Sequence, residues 1–273
     1  MGQLTASGRD TAYVWVGRDT GGQPDPAVEL LCQAGRLLLD RPRAELVLTH
    51  GPGGRPLVRA SDGPAGSVGL PVSVSRTAGL VVVAARRAGA IGVDVERVRP
   101  LPALALARRW FPPAELTWLA DRPEAGRAVD FLRLWTAKEA VGKALGQGLR
   151  GGGLRREMPP PGLPWRPVPG AEALWVGHPE LGGDLVLAVA VHATGQVDVE
   201  VVQRPGHGAV KVVQRTGQGA VEVVQRPGQG AVEVVQRPGH GVAAVRSASV
   251  ERTSLPVVVR GNWSSRCSAR GRL

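Results

Sequence analysis

The tetrad VVQR begins at Val201, Val212, Val223 and Val234, a strict period of 11 residues. The unit reads VVQRPGQGAVE with small changes, and every copy carries two glycines. No solenoid unit has this period, and four copies this short would bury little apolar surface. The repeat therefore reads as low-complexity, disordered sequence. The Arg- and Ser-rich stretch that follows shows no periodicity. No fold is assigned to residues 199–273, so the core must come from the first 198 of the 273 residues.

Charge divides at the same point. Of the net charge of +11, residues 199–273 contribute seven, from 11 Lys and Arg against 4 Asp and Glu. Taken whole, such basicity suggests nucleic-acid binding. Taken by segment, it belongs mostly to the tail, which holds only Trp263 for base stacking. No apolar run approaches the roughly 20 residues that span a bilayer. The first residues lack the basic segment and apolar core of a signal peptide. Cys32 and Cys267 show no metal-ligand spacing and read as free thiols. The five histidines show no ligand spacing either, so no zinc site is expected. These features point to a cytoplasmic protein.

Residues 1–198 read as one mixed α and β domain. Strands are expected at 12–17, 45–50, 72–75, 80–85, 90–96, 173–178 and 185–193, with the segments from 72 to 96 forming a meander. Apolar spacing gives helices at 27–40, 103–110 and 130–145, and Pro113 suits the first position of a helix over AELTWLA. Gly146 is placed to end the 130–145 helix, and residues 150–170 read as a loop.

Two short patterns carry chemistry. In GVDVE, residues 92–96, alternation puts Val93 and Val95 on one strand face and Asp94 and Glu96 on the other, ~7 Å apart. In WTAKEAVGK, residues 135–143, Glu139 and Lys143 stand four apart on one helix face. Alone, the first fits a solvated strand face and the second a surface ion pair worth ~0.3–0.5 kcal/mol.

In this order and without gaps, the two patterns resemble the signature of the 4'-phosphopantetheinyl transferases, G-(I/V)-D-(I/V)-E followed by W-x-x-K-E-x-x-x-K. GQGL at 146–149, PVSVSRTAGL at 71–80 and GGRP at 53–56 are similar to further family segments, so the likeness covers roughly residues 12–193. Size and single-chain layout resemble the two-lobed, surfactin-synthetase-activating type. That resemblance implies an α+β pseudo-dimer of two similar halves, with their junction near 86–100 and the active site in the cleft; the disordered tail lies outside it.

The resemblance also implies a reaction. The family moves the phosphopantetheine arm of coenzyme A onto a serine of an apo acyl or peptidyl carrier protein and releases adenosine 3',5'-bisphosphate. An anionic pyrophosphate must be neutralised and a hydroxyl must lose its proton. Asp94, Glu96 and Glu139 are the implied Mg²⁺ ligands, since Mg²⁺ takes hard oxygen donors. Glu139 is also the implied base, with a metal-bound water as the alternative. Lys143 would stabilise the departing phosphate and Lys138 would add positive charge nearby. Ser75 and Arg76 occupy positions that contact the 3'-phosphate, with Arg76 replacing the family's histidine. Arg55 corresponds to a residue beside the adenine and 3'-phosphate. Trp110, Phe111 and Trp118 fall in a region that helps form the carrier-docking surface in the family, and core packing explains them as well. A monomer is expected, and the two-lobed type tends toward carriers of secondary metabolism. Two other readings remain open: an inactive member kept for carrier or coenzyme A binding, and a basic nucleic-acid-binding protein acting through its tail.

Overall fold

The computed structural model describes residues 10–19, 21, 25–41, 45–63, 69–150, 152–161, 165–195, 197–203, 210–215, 221–225 and 234–235. Two halves with the same order of elements make up the core. The first runs β1 (Thr11–Arg18), α1 (Pro26–Leu38), β2 (Leu46–His50), β3 (Pro56–Ala60), β4 (Leu70–Thr77) and β5 (Leu80–Arg86). The second runs β6 (Ile91–Arg97), α2 (Ala103–Trp110), α3 (Pro113–Ala120), α4 (Glu124–Leu145), β7 (Arg166–Val168), β8 (Ala171–Gly177) and β9 (Leu185–His192). In each half the strands after the helices form an antiparallel meander, and its last strand returns to pair with the first. The order is β1-β5-β4-β3-β2 in one sheet and β6-β9-β8-β7 in the other. The expected α+β architecture of two similar halves is therefore present, the second half having one strand fewer.

Alternation along the strands builds four layers. On β1 and β5, Trp15, Val81, Val83 and Ala85 face α1, while Ala12, Val14, Val82 and Ala84 meet the second sheet. On β6, Ile91, Val93 and Val95 complete that inter-sheet core. On β9, Ala188 and Ala190 turn the other way, toward α4 and its neighbouring helices. Helix, sheet, sheet and helices thus stack in order, and β6 lies in the inner pair of layers.

The sequence reading differs from the structure at several points. The meander expected over 72–96 stops after β5, whose two edges are already taken by β1 and β4. The chain crosses instead to the second sheet, where β6 pairs with β9. α4 begins at Glu124, six residues before the expected start, and the loop at 150–170 contains β7. β3 has no counterpart among the expected strands. Gly146 ends α4 in the left-handed conformation, at φ 67°, as its position predicts. Cys32 on α1 is disulfide-bonded, which overturns the expectation of a free thiol, and Cys267 lies outside the described residues.

The stretch assigned no fold begins inside a strand. β10 (Asp198–Gln203) pairs parallel with β1, and Val199 and Val201 are fully buried. β11 (Val210–Arg215), β12 (Val221–Gln225) and β13 (Val234–Val235) extend the same sheet by antiparallel pairing. Val201 stands opposite Val212, Val212 opposite Val223 and Val223 opposite Val234, so each repeat is in register with the next. V-E-V-V-Q, or V-K-V-V-Q in β11, is the pattern within β10, β11 and β12. Residues 236–273 lie outside the described residues.

Candidate active site

The free edge of β6 faces β4. An edge strand exposes backbone N–H groups that need partners. Here serine side chains supply them: the Val93 N–H donates to Ser73 Oγ at 3.0 Å, and the Val95 N–H donates to Ser75 Oγ at 3.3 Å. Serines two apart on β4 share one face, which lets both reach the same strand. Ser75 Oγ then donates to Asp94 Oδ1 at 2.7 Å. The seam between the halves therefore holds Asp94 in place, and both Ser75 and Asp94 are buried.

From the other side α4 lies directly against β6. A side chain at Gly92 would run into the backbone of Ala140 and Ala144, well inside van der Waals contact. The approach brings Lys143 Nζ to 2.7 Å from Asp94 Oδ1 and 3.0 Å from the Val93 carbonyl. Glu139, one turn earlier, is half-buried. Its carboxyl is raised above the ordinary glutamate range by burial first, then by the Asp94 charge, with Lys143 opposing and Glu96 adding to the rise. Glu96 pairs with Arg99 at 3.1 Å. Of the four residues, Lys143 and Asp94 are in direct contact, and Glu139 feels the charges of Asp94, Lys143 and Glu96. Gly92→Ala should cost about 1–3 kcal/mol by overpacking this contact, read as a fall in the urea midpoint at unchanged slope.

Three carboxylates acting on one another make a donor set suited to a hard divalent cation. Among the described residues no three acidic, histidine or cysteine side chains already close on a common point. Lys143 holds one oxygen of Asp94 and Arg99 holds one of Glu96. The chemistry of the donors fits such an ion.

The other candidate residues sit elsewhere. Lys138, next to Glu139 in sequence, is turned by about 100° on the helix and is completely buried. Its ammonium pairs with Glu115 of α3 at 2.7 Å, donates to the Arg156 carbonyl and lies 4.8 Å from the centre of the Phe111 ring. Glu115 also accepts the Met158 N–H at 2.7 Å. Burial lowers the Lys138 pKa and raises that of Glu115, against their mutual attraction. The structure does not bring Lys138 to the acid cluster.

Arg76 points away from Ser75, as its neighbour on a strand must. Its guanidinium bonds Asp19 at 2.8 Å and Asp25 at 2.7 Å, tying β4 to the start of α1, where Asp25 is the N-cap. Bonds to these two carboxylates, Asp25 first, raise its pKa over the opposing effect of burial. Arg55 donates to the Ala144 carbonyl at 3.1 Å and lies along Gly146, so the GGRP turn of the first half docks on the C-terminal end of α4. Phe111 stacks on Phe131 and Trp110 tilts against Trp135, which places both in packing, while Arg122 covers the Trp118 ring. Ser73, Arg99 and Glu115 escaped the sequence reading. The i, i+2 serines on β4 were the available signal for Ser73. Glu115, an acid in the apolar segment AELTWLA, carried one for itself.

Residues 90–159 match the model of the 4'-phosphopantetheinyl transferase superfamily. The slr0495 protein of Synechocystis sp., which carries the same family name, is 38% identical over 109 residues, 40% of this chain and 43% of that protein. The 4'-phosphopantetheinyl transferase HetI of Nostoc sp. is 38% identical over 82 residues, 30% of this chain and 35% of its own length. The 4'-phosphopantetheinyl transferase gsp of Aneurinibacillus migulanus is 32% identical over 59 residues, 22% of this chain and 24% of its own. The matched stretch, Ala90 to Pro159, holds Asp94, Glu96, Glu139 and Lys143. The aligned part of the chain spans less than half the length of each of these curated relatives. Among the described residues no helix is long and apolar enough to cross a membrane.

Proposed function

We propose that the chain transfers the phosphopantetheine arm of coenzyme A to a serine of an apo acyl or peptidyl carrier protein, releasing adenosine 3',5'-bisphosphate. The observation that carries this reading is the meeting of Asp94 and Glu96 on β6 with Glu139 and Lys143 on α4, inside the matched family segment. Asp94, Glu96 and Glu139 would hold Mg²⁺, which supplies positive charge to the pyrophosphate when bound.

The chain's own groups account for the proton and the charge. Glu139 takes the proton of the attacking serine. The serine oxygen forms a bond to the phosphorus that carries the pantetheine arm, and the bond from that phosphorus to the bridging oxygen breaks. Lys143, anchored on the Val93 carbonyl, supplies a compact positive charge to the phosphate that leaves. Ser73 and Ser75 keep β6 and Asp94 from shifting as charge moves.

Lys138, Arg55 and Arg76 have other duties on this reading. Lys138 fixes the rotation of α4, so that its neighbour Glu139 faces β6. Arg55 fixes the end of the same helix. Arg76, with Asp19 and Asp25, secures the entrance of α1, and its guanidinium suits the coenzyme A 3'-phosphate. The protein acts as a cytoplasmic monomer on carriers of secondary metabolism.

The test is a panel of apo carriers incubated with the full chain, coenzyme A and Mg²⁺. At least one carrier should gain a phosphopantetheine on its serine, with an equal amount of adenosine 3',5'-bisphosphate in solution. Coenzyme A binding with no carrier modified across the panel would instead favour a binding protein of this fold.

A further inference from the structure

We propose that Arg99 and Lys143 are resident counter-ions of the Asp94, Glu96 and Glu139 cluster, and that a divalent cation binds there by displacing Arg99 from Glu96 and Lys143 from Asp94. This rests on the reading of the three carboxylates as metal ligands.

The two cations are held differently. Arg99 lies three residues after Glu96, is 58% exposed, and reaches its carboxylate at 3.1 Å. Its other bond is to the Arg97 carbonyl, at 3.3 Å. An exposed pair of this kind is weak and salt-sensitive. Lys143 is 28% exposed and bonds both Asp94 and the Val93 backbone carbonyl. When Asp94 turns to a metal ion, that carbonyl still holds the ammonium beside the site. Exchange therefore releases Arg99 outward and keeps Lys143 in place. Among the described residues, neither cation makes an ion pair with Glu139.

Arg97 is the built-in control. It sits two residues before Arg99 and carries the same charge, yet it pairs with Asp184 at 2.6 Å and not with Glu96. A general effect of net charge would act through both arginines, whereas exchange acts through Arg99.

The test is Mn²⁺ binding to the full chain, followed by the electron paramagnetic resonance signal of the free ion. Mn²⁺ accepts the same oxygen ligands as Mg²⁺. Arg99→Gln should bind Mn²⁺ about two- to fivefold more tightly than the wild type, and Arg97→Gln no more tightly. Raising the KCl concentration should narrow the gap between Arg99→Gln and the wild type. Equal affinity of Arg99→Gln and wild type, or an equal gain in Arg97→Gln, overturns the proposal. A wild-type protein that binds no Mn²⁺ overturns the metal-ligand reading itself, and the exchange with it.

Discussion

Glu139→Gln is expected to lose at least about a thousandfold in transfer and yet to melt at a higher temperature than the wild type in metal-free buffer at neutral pH. Both effects come from one environment. Burial and the charges of Asp94 and Glu96 raise the Glu139 pKa above its value in the unfolded chain. A carboxyl shifted upward binds its proton more readily in the folded state, so ionisation at neutral pH opposes folding. Gln removes that opposition and the base together. The gain should be full above the raised pKa and shrink as the pH falls toward the ordinary glutamate value, where wild-type Glu139 is protonated. Paired melts of variant and wild type from pH 7 to pH 4 read it out, with transfer assayed on the same samples. A variant less stable than the wild type at pH 7 would mean that Glu139 has a stabilising partner in the folded state.

Lys138→Ala is expected to destabilise the protein by about 3–5 kcal/mol, because it strands Glu115 in the core without its counter-ion. The pair joins α3, α4 and the chain at Arg156 and Met158. Replacing both members with apolar residues of similar size, Lys138→Met with Glu115→Leu, should recover much of the loss, since a buried ion pair gives little net stability over good apolar packing. The recovered double variant should retain part of its transfer activity if Lys138 acts by setting the rotation of α4. Denaturant unfolding gives the stabilities. A double variant as stable as the wild type but with no activity at all would place the Lys138 ammonium in the chemistry instead.

Much of this was legible in the sequence, and the rest was hidden for physical reasons. Period-two alternation located Asp94 and Glu96 on one strand face and Val93 and Val95 on the other, and the structure keeps that division. Helical spacing placed Glu139 and Lys143 on one face, and both turn to β6. What alternation cannot give is the partner of a strand, so β6 was assigned to its sequence neighbour when it belongs to β9. Spacing also cannot say which of two adjacent helix residues is buried. Lys138 and Glu139 lie side by side in the sequence, and only the packing of α3 and residues 156–158 draws Lys138 away from the cluster. Ser75 and Arg76 separate for the simpler reason that neighbours on a strand point oppositely, and one joins Asp94 while the other joins Asp19 and Asp25.

The role of Asp94 at the seam of the two halves is tested most directly by one comparison. Wild type and Asp94→Asn are each incubated with coenzyme A, Mg²⁺ and an apo carrier that the wild type modifies, and the carrier's mass is followed over time. Asparagine keeps the size of the side chain and an oxygen for Ser75, so the variant should unfold cooperatively, as the wild type does. The expected result is a carrier that gains phosphopantetheine with the wild type and stays unmodified with the variant. Modification by Asp94→Asn at the wild-type rate would contradict the account.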